Sequence, residues 1–302
     1  MTQERMHENE VLADPDVVRR LLATQMPQWA ELSIGSLPLG GTDNDLYRLG
    51  DDMIVRLPRI DWAVAAIERE YEWLPKLAPL LPEKIPRPLA MGKPGEGYPW
   101  RWSVYEWLDG VDPSIHREID RDALLPDLVR FIQAMHEISL NGPPRASRGM
   151  PLATRDKAAR AAIDTLDDSV DRATVLALWK GALGAPAWVS PPLWVHGDLD
   201  ARNLLVKHGR LNAVIDWGGV GVGDPACDIA LAWKVFSPSA RETFRRELRV
   251  EDATWDRARG WTLLQAVEAI PYYTPRTNPV LLREAQAWLD AVLADNDAPK
   301  AV

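Results

Sequence analysis

The sequence predicts an α+β protein of two unequal parts: a small sheet-and-helix part over residues 1–105 and a larger, mostly helical part over residues 106–302. Three observations carry this. Short runs of alternating apolar and polar residues, broken by glycine-containing turns, crowd into the first third of the chain, as hairpin-joined strands do. From residue 119 onward the apolar residues fall at helical spacing. One further hairpin interrupts that helical pattern between residues 193 and 216, and side chains able to do chemistry gather at its ends.

Taken in order, Asp14-Pro15 ahead of Val17, Val18, Leu21 and Leu22 reads as a capped amphipathic helix. A strand-like stretch, Leu32 to Leu39, runs into Gly40-Gly41-Thr42-Asp43-Asn44. Two strands follow, Leu46 to Leu49 and Met53 to Leu57, joined at Gly50-Asp51-Asp52. Paired glycines let backbone N–H groups approach phosphate oxygens, which makes Gly41 and Asn44 candidate nucleotide contacts; a plain hairpin turn is the alternative. Alternation sets Met53, Val55 and Leu57 on one face and Arg56 with Ile54 on the other. Arg56 is either a fixed cation able to fork onto phosphate or a surface residue of an edge strand.

Asp61 can cap a helix from Trp62 to Ala78, on which Glu70 shares an apolar stripe with Ile67, Leu74 and Leu77. An unpaired carboxylate there is costly, so a basic partner from the sheet is expected, and Arg56 is the candidate. Pro82, Pro86 and Pro88 mark an extended connection. Tyr98 to Leu108 is aromatic and β-rich and stops at Asp109-Gly110. In the helical part, Leu124, Leu125, Leu128, Val129, Ile132 and Met135 form a stripe leading to His136, a residue expected to pack or cap. One or two helices fit 154–183. Others fit the segment after Asp224-Pro225 and the stretches 238–249, 252–270 and 279–294, with ADNDAPKAV as a frayed end.

Composition removes several function classes. The chain of 302 residues is 46% hydrophobic and 26% charged, which is ordinary globular material. A net charge of −9 opposes nucleic-acid binding and is compatible with cationic small molecules. No apolar run approaches roughly 18 residues, so no membrane span is expected. The polar N-terminus has no signal core, and a single cysteine, Cys227, excludes an internal disulfide; a cytoplasmic setting is the expectation. Oligomeric state is left open.

The chemistry concentrates in Leu193 to Asp228. A short strand, Leu193-Trp194-Val195, delivers His196-Gly197-Asp198, and Asn203 follows. Leu204 to Val206 and Leu211 to Ile215 flank the His208-Gly209 turn, so Asn203 and Asp216 stand at the two ends of a hairpin, expected on the order of 5 Å apart. An amide oxygen and a carboxylate suit one Mg²⁺ that keeps water and phosphate as its other ligands. Asp198 is left as a carboxylate free to accept a proton, which is the layout of phosphoryl transfer.

His196-Gly197-Asp198-x-x-x-x-Asn203, then Ile215-Asp216-Trp217, then Gly223-Asp224-Pro225-x-x-Asp228 resembles the motif set of the aminoglycoside phosphotransferase family of kinase-like small-molecule kinases. The likeness is strongest over 193–233 and extends weakly from about 38 to 290. It implies a protein-kinase-like two-lobed fold with ATP, or GTP, between the lobes and a small hydroxylated acceptor over the C-lobe. On that resemblance Asp198 is the base, and Asn203 and Asp216 hold Mg²⁺. Glu70 orients the phosphate-binding cation, and the main chain around Glu106 and Trp107 pairs with adenine. Asp228 is implied as a buried anchor for the catalytic loop. Arg56 departs from the family's lysine. The implied acceptor is an aminoglycoside-type antibiotic, with choline, a sugar, an amino alcohol or a macrolide as alternatives, and nucleotide binding without turnover as the rival. Asp200, Asp109, Asp112 and Glu268 are the candidate carboxylates for a polycation, with a solvated surface acid as the alternative for each.

Overall fold

The computed structural model describes residues 9–37 and 42–297. The chain divides into two compact units, Met1–Asp109 with Val214–Gly218, and Gly110–Ala213 with Gly219–Val302.

A five-stranded antiparallel sheet in the order β1-β2-β3-β5-β4 builds the first unit. Its strands are β1 (Ile34–Ser36), β2 (Asn44–Leu49), β3 (Met53–Pro58), β4 (Pro88–Gly92) and β5 (Trp102–Glu106). Helix α1 (Pro15–Gln25) starts where Asp14 accepts the N–H of Val17 at 2.8 Å. It lays Val18, Leu21 and Leu22 on Tyr47, Leu49, Val55, Leu57, Trp102 and Val104, the core of this unit. Gly92 makes room for that core, since a Cβ there would fall 2.0 Å from the Trp102 ring.

The second helix, α2 (Val64–Leu77), packs against β4 and β5. It begins later than expected and without the expected cap: Asp61 is the first residue of a 3₁₀ turn over Asp61–Ala63, and its carboxylate accepts the N–H of Trp62 at 2.7 Å. Two readings of the sheet are also corrected. The proline-marked connection holds β4, whose Pro88 opens an outer strand where a missing N–H is tolerated. β3, which carries Arg56, is not an edge strand, because it pairs with both β2 and β5. Gly41, an expected phosphate contact, lies outside the described residues.

The second unit is helical around α9 (Asp252–Tyr272). Trp255, Ala258, Trp261, Leu264, Ala266 and Val267 leave it no single polar face, as suits a buried central helix. Packed on it are α4 (Asp156–Asp164), α5 (Arg172–Gly184), α6 (Ala226–Ile229), α7 (Leu231–Val235) and α10 (Pro279–Asp297). The helix expected after Pro225 is thus split in two at Ala230, and α10 runs through the first part of the expected frayed end. α3 (Leu125–Glu137) and α8 (Pro238–Glu247) pack together.

Two short ribbons complete this unit. β6 (Leu193–Val195) pairs with β9 (Gly221–Gly223), Trp194 opposite Val222. β7 (Leu204–Lys207) and β8 (Arg210–Val214) form the expected hairpin, with His208 and Gly209 both at positive φ as a tight two-residue turn requires. The buried Asp127 of α3 ties it down, accepting from Leu211 N at 3.0 Å and Arg210 Nε at 2.8 Å. Among the described residues no helix is long and apolar enough to cross a membrane.

Candidate active site

Within the first unit, alternation along β3 turns Arg56 away from the apolar core and toward α2. There its Nη1 donates to both oxygens of Glu70, at 2.8 and 2.9 Å. The Glu70 side chain is only 1% exposed, and a buried carboxylate left without this partner would be costly. Tyr105, on the neighbouring strand β5, donates its hydroxyl to Glu70 Oε2 at 2.5 Å. Burial, then the adjacent Glu70 carboxylate, push the Tyr105 phenol well above its ordinary value, so it stays a donor. Arg56 also reaches Asp216, Nη2 to Oδ1 at 3.2 Å. Burial works against its charge, but Glu70 and then Asp216 outweigh that and raise its pKa.

Asp216 is half exposed and has φ +62°, an uncommon backbone for a non-glycine residue. Trp217 anchors the turn behind it, buried and donating Nε1 to the Val214 carbonyl at 2.8 Å. Asn44 begins β2 opposite Pro58, buried, its Oδ1 without a hydrogen-bond partner among the described residues. At the expected base-pairing segment, Glu106 N–H donates to Arg87 O at 3.0 Å and Trp107 N–H to Asp52 O at 2.8 Å. The Trp107 ring is pinned by Arg48, 3.7 Å from its centroid.

Within the second unit, strand β6 ends at a turn whose backbone is fixed from α6. Asp228 accepts the N–H groups of His196 at 2.7 Å and Gly197 at 2.8 Å. Burial pushes the Asp228 carboxyl up; His196 and these two backbone donors oppose the shift. Gly197 has φ +86°, and a Cβ there would meet Gly219 O at 3.0 Å, so the position needs glycine twice over. Asp198 follows, its N–H donating to His196 Nδ1 at 3.2 Å. Asn203 donates Nδ2 to the Asp198 carbonyl at 2.8 Å, which turns its Oδ1 the other way.

Sequence reasoning missed what surrounds Asp198. Arg148, from the loop before α4, meets Asp198 Oδ1 at 2.5 Å and donates to Gly197 O at 3.2 Å. Lys234 of α7, 3% exposed, donates to Leu199 O at 3.1 Å. Burial works against charge on Asp198, but Arg148, Lys234 and Arg202 hold its carboxyl well below the usual carboxylate range. A lysine between Trp233 and Val235 in an apolar helix was a readable signal; Arg148, in an irregular loop, gave none.

The expected polycation contacts are otherwise engaged. Asp200 is fully buried and takes Arg202 Nε at 3.1 Å and Nη2 at 2.5 Å. Glu268 pairs with Arg155 at 2.7 Å, Asp112 accepts Ser114 N–H at 2.7 Å, and Asp109 accepts Trp107 Nε1 at 3.1 Å.

Residues 35–261 match the sequence profile described as the phosphotransferase enzyme family. Two aminoglycoside 3'-phosphotransferases of Escherichia coli are each 26% identical over 132 residues, 41% of this chain. The match spans 49% of their length, about half of the curated relatives. Among solved structures, the GDP complex of wild-type aminoglycoside 2'-phosphotransferase-IIIa is similar with a TM-score of 0.74 at 18% identity, covering 94% of this chain and 100% of that one. A thermostable mutant of aminoglycoside phosphotransferase APH(4)-Ia, in a ternary complex with ADP and hygromycin B, gives 0.62 at 19% identity, covering 92% and 99%. These likenesses show the fold: the kinase-like α+β architecture, with a five-stranded antiparallel sheet and a helical remainder.

Proposed function

The chain belongs to the phosphotransferase enzyme family, and from that premise we propose that it transfers the γ-phosphoryl group of ATP or GTP to a hydroxyl of a small molecule. Aminoglycosides are the first acceptors to try, since the relatives are named for them. The observation that carries the reading is the setting of Asp198: 26% exposed, on a turn whose backbone is fixed by Asp228, with the Asn203 amide bonded to its own carbonyl.

In the proposed reaction the acceptor oxygen forms a bond to the γ-phosphorus as the bond to the β-phosphate oxygen breaks, and the nucleoside diphosphate leaves. Asp198 orients the acceptor hydroxyl and takes its proton. Arg56, held by Glu70, neutralises phosphate charge in place of the family's lysine; a guanidinium fixed at both carboxylate oxygens is pre-organised for that work. In the proposed base contact, Leu108 supplies the N–H, because the N–H groups of Glu106 and Trp107 are spent inside the unit. Gly41 and Asn44 belong to the proposed phosphate loop.

Asn203 and Asp216 are each suited by their chemistry to a hard divalent cation. With Asn203 Nδ2 committed to Asp198 O, and Arg56 on Asp216 Oδ1, each residue keeps an oxygen to offer. Mg²⁺ asks for no more than one or two protein oxygens beside water and phosphate. When bound it would neutralise charge on the transferring phosphates. Most of the acceleration then comes from positioning and electrostatics, the base adding about 10²–10⁴-fold.

Thermal stabilisation by Mg-ATP and Mg-GTP, followed by nucleoside-diphosphate release across kanamycin, hygromycin B, choline, sugars and a macrolide, tests the reading. Release above the water background with one acceptor class supports it. Nucleotide binding with no release for any acceptor would favour a binding protein without turnover.

A further inference from the structure

Among the described residues, the charged side chain ion-paired with Asp198 is Arg148, and it has donors to spare. Arg148 uses Nη1 for Asp198 Oδ1 and Gly197 O; among the described residues its Nε and Nη2 have no protein partner. Its side chain is 36% exposed. Of the other cations nearby, Lys234 is buried at 3% exposure and donates to Leu199 O, and Arg202 is forked onto Asp200. The nearby acids are spent: Asp200 on Arg202, Asp228 on two backbone N–H groups, Asp112 on Ser114. Gln265 Nε2 stands 3.5 Å from Asp198 Oδ1 and adds no charge.

The guanidinium is also held in place. On either side of Arg148 the loop is bonded to the β9 region: Ala146 N to Val222 O at 3.2 Å, Ser147 N to Gly219 O at 3.0 Å, and Asp224 N to Gly149 O at 2.8 Å. A fixed, partly exposed fork of N–H donors recognises oxygen and repels a cation.

We infer that Arg148 is a specificity-determining residue: beside the carboxylate that receives the acceptor, it selects a hydroxyl flanked by a second oxygen function, hydroxyl or carboxylate, over one flanked by an ammonium group. This rests on the phosphotransferase reading above. An ammonium at that edge would have to take Asp198 from Arg148 or sit against a like charge, and such negative selection is a common source of specificity. An acceptor carrying amines elsewhere is unaffected, so an aminoglycoside would present a diol edge to Asp198.

The test uses the full chain with Mg-ATP and a matched set of acceptors, glucose, glucosamine and glucuronate, with kanamycin as the polycation. Parent, Arg148→Gln and Arg148→Lys are compared by kcat/KM after melting curves confirm folding. Counted at the C3 hydroxyl, which the glucosamine ammonium flanks, with product positions read by NMR, the parent is expected to favour glucose and glucuronate over glucosamine by about tenfold or more; Arg148→Gln should erase that ratio and Arg148→Lys should keep part of it. A parent that uses the C3 hydroxyl of glucosamine as well as that of glucose overturns the inference without any variant. So does an Arg148→Gln protein that turns over with the parental ratio. No transfer to any acceptor, in this set or in the wider panel, overturns the phosphotransferase reading itself, and the inference falls with it.

Discussion

Arg56 and Glu70 are joined through a single nitrogen that donates to both carboxylate oxygens, on β3 and α2 respectively. The pair is nearly out of solvent, with side-chain exposures of 12% and 1%. Burying two charges is costly in itself, so the pair's value lies in what happens when one member is removed. Glu70→Ala leaves a buried guanidinium with Asp216 as its remaining acid partner. The expected loss is about 3–5 kcal/mol of unfolding free energy, measured by urea denaturation, with a weakened response to Mg-ATP in thermal shift. A variant as stable as its parent would show that Arg56 relaxes onto Asp216 at no cost.

Asp198→Asn keeps the size of the side chain and removes its ability to take a proton. Turnover with whichever acceptor is found should fall by about 10²–10⁴-fold, while thermal stabilisation by Mg-ATP persists. Arg148 then faces an amide and not a carboxylate, so the melting temperature of the free protein should also move. Near-parental kcat would remove Asp198 from the base role.

How much of this was legible follows from the range of the interactions. The hairpin over β7 and β8 was readable because His208-Gly209 and its flanking apolar runs are local signals. The Arg56–Glu70 pair was readable because a carboxylate in an apolar stripe demands a cation and the adjacent sheet offers one. β4 was not: three prolines mask a strand that needs no donor at its first residue. Arg148 was invisible because nothing local says where residue 148 lies relative to residue 198. The arginine partners of Asp200 and Glu268 were hidden for the same reason, since the sequence does not pair Arg202 or Arg155 with them.

His136 sits in the last turn of α3 with Nε2 buried and unpartnered among the described residues. Burial lowers its pKa from 6.5 to about 4. A histidine that stays neutral when folded but protonates when unfolded makes stability fall as pH drops from 6.5 to about 4. Within that window the slope contributed by His136 approaches about 1.4 kcal/mol per pH unit. His136→Leu should flatten the pH dependence of the urea midpoint between pH 6.5 and 4.5, a window that follows from the shift to about 4. An unchanged slope would mean that the imidazole protonates equally well in the folded protein.

Asp228 gives the sharpest separation of positioning from stability. Its two oxygens take the N–H groups of consecutive residues, His196 and Gly197, immediately ahead of Asp198. Asn can accept only one of them, and Ala neither. Each buried N–H left without a partner costs about 1–3 kcal/mol. Against this, burial disfavours the charge on Asp228, and either neutral residue relieves that penalty. Asp228→Asn should therefore lose little stability and Asp228→Ala more. Activity should not follow the same order. Freeing either N–H lets the turn shift, and a displacement of about 1 Å at a reacting group can cost on the order of 10²-fold in rate. Both variants should then lose kcat by tenfold to a hundredfold while the Kd for Mg-ADP, measured by calorimetry, stays within a few-fold of the parent. If Asp228→Asn keeps full kcat, one backbone hydrogen bond is enough to place Asp198, and the second carboxylate oxygen serves folding alone.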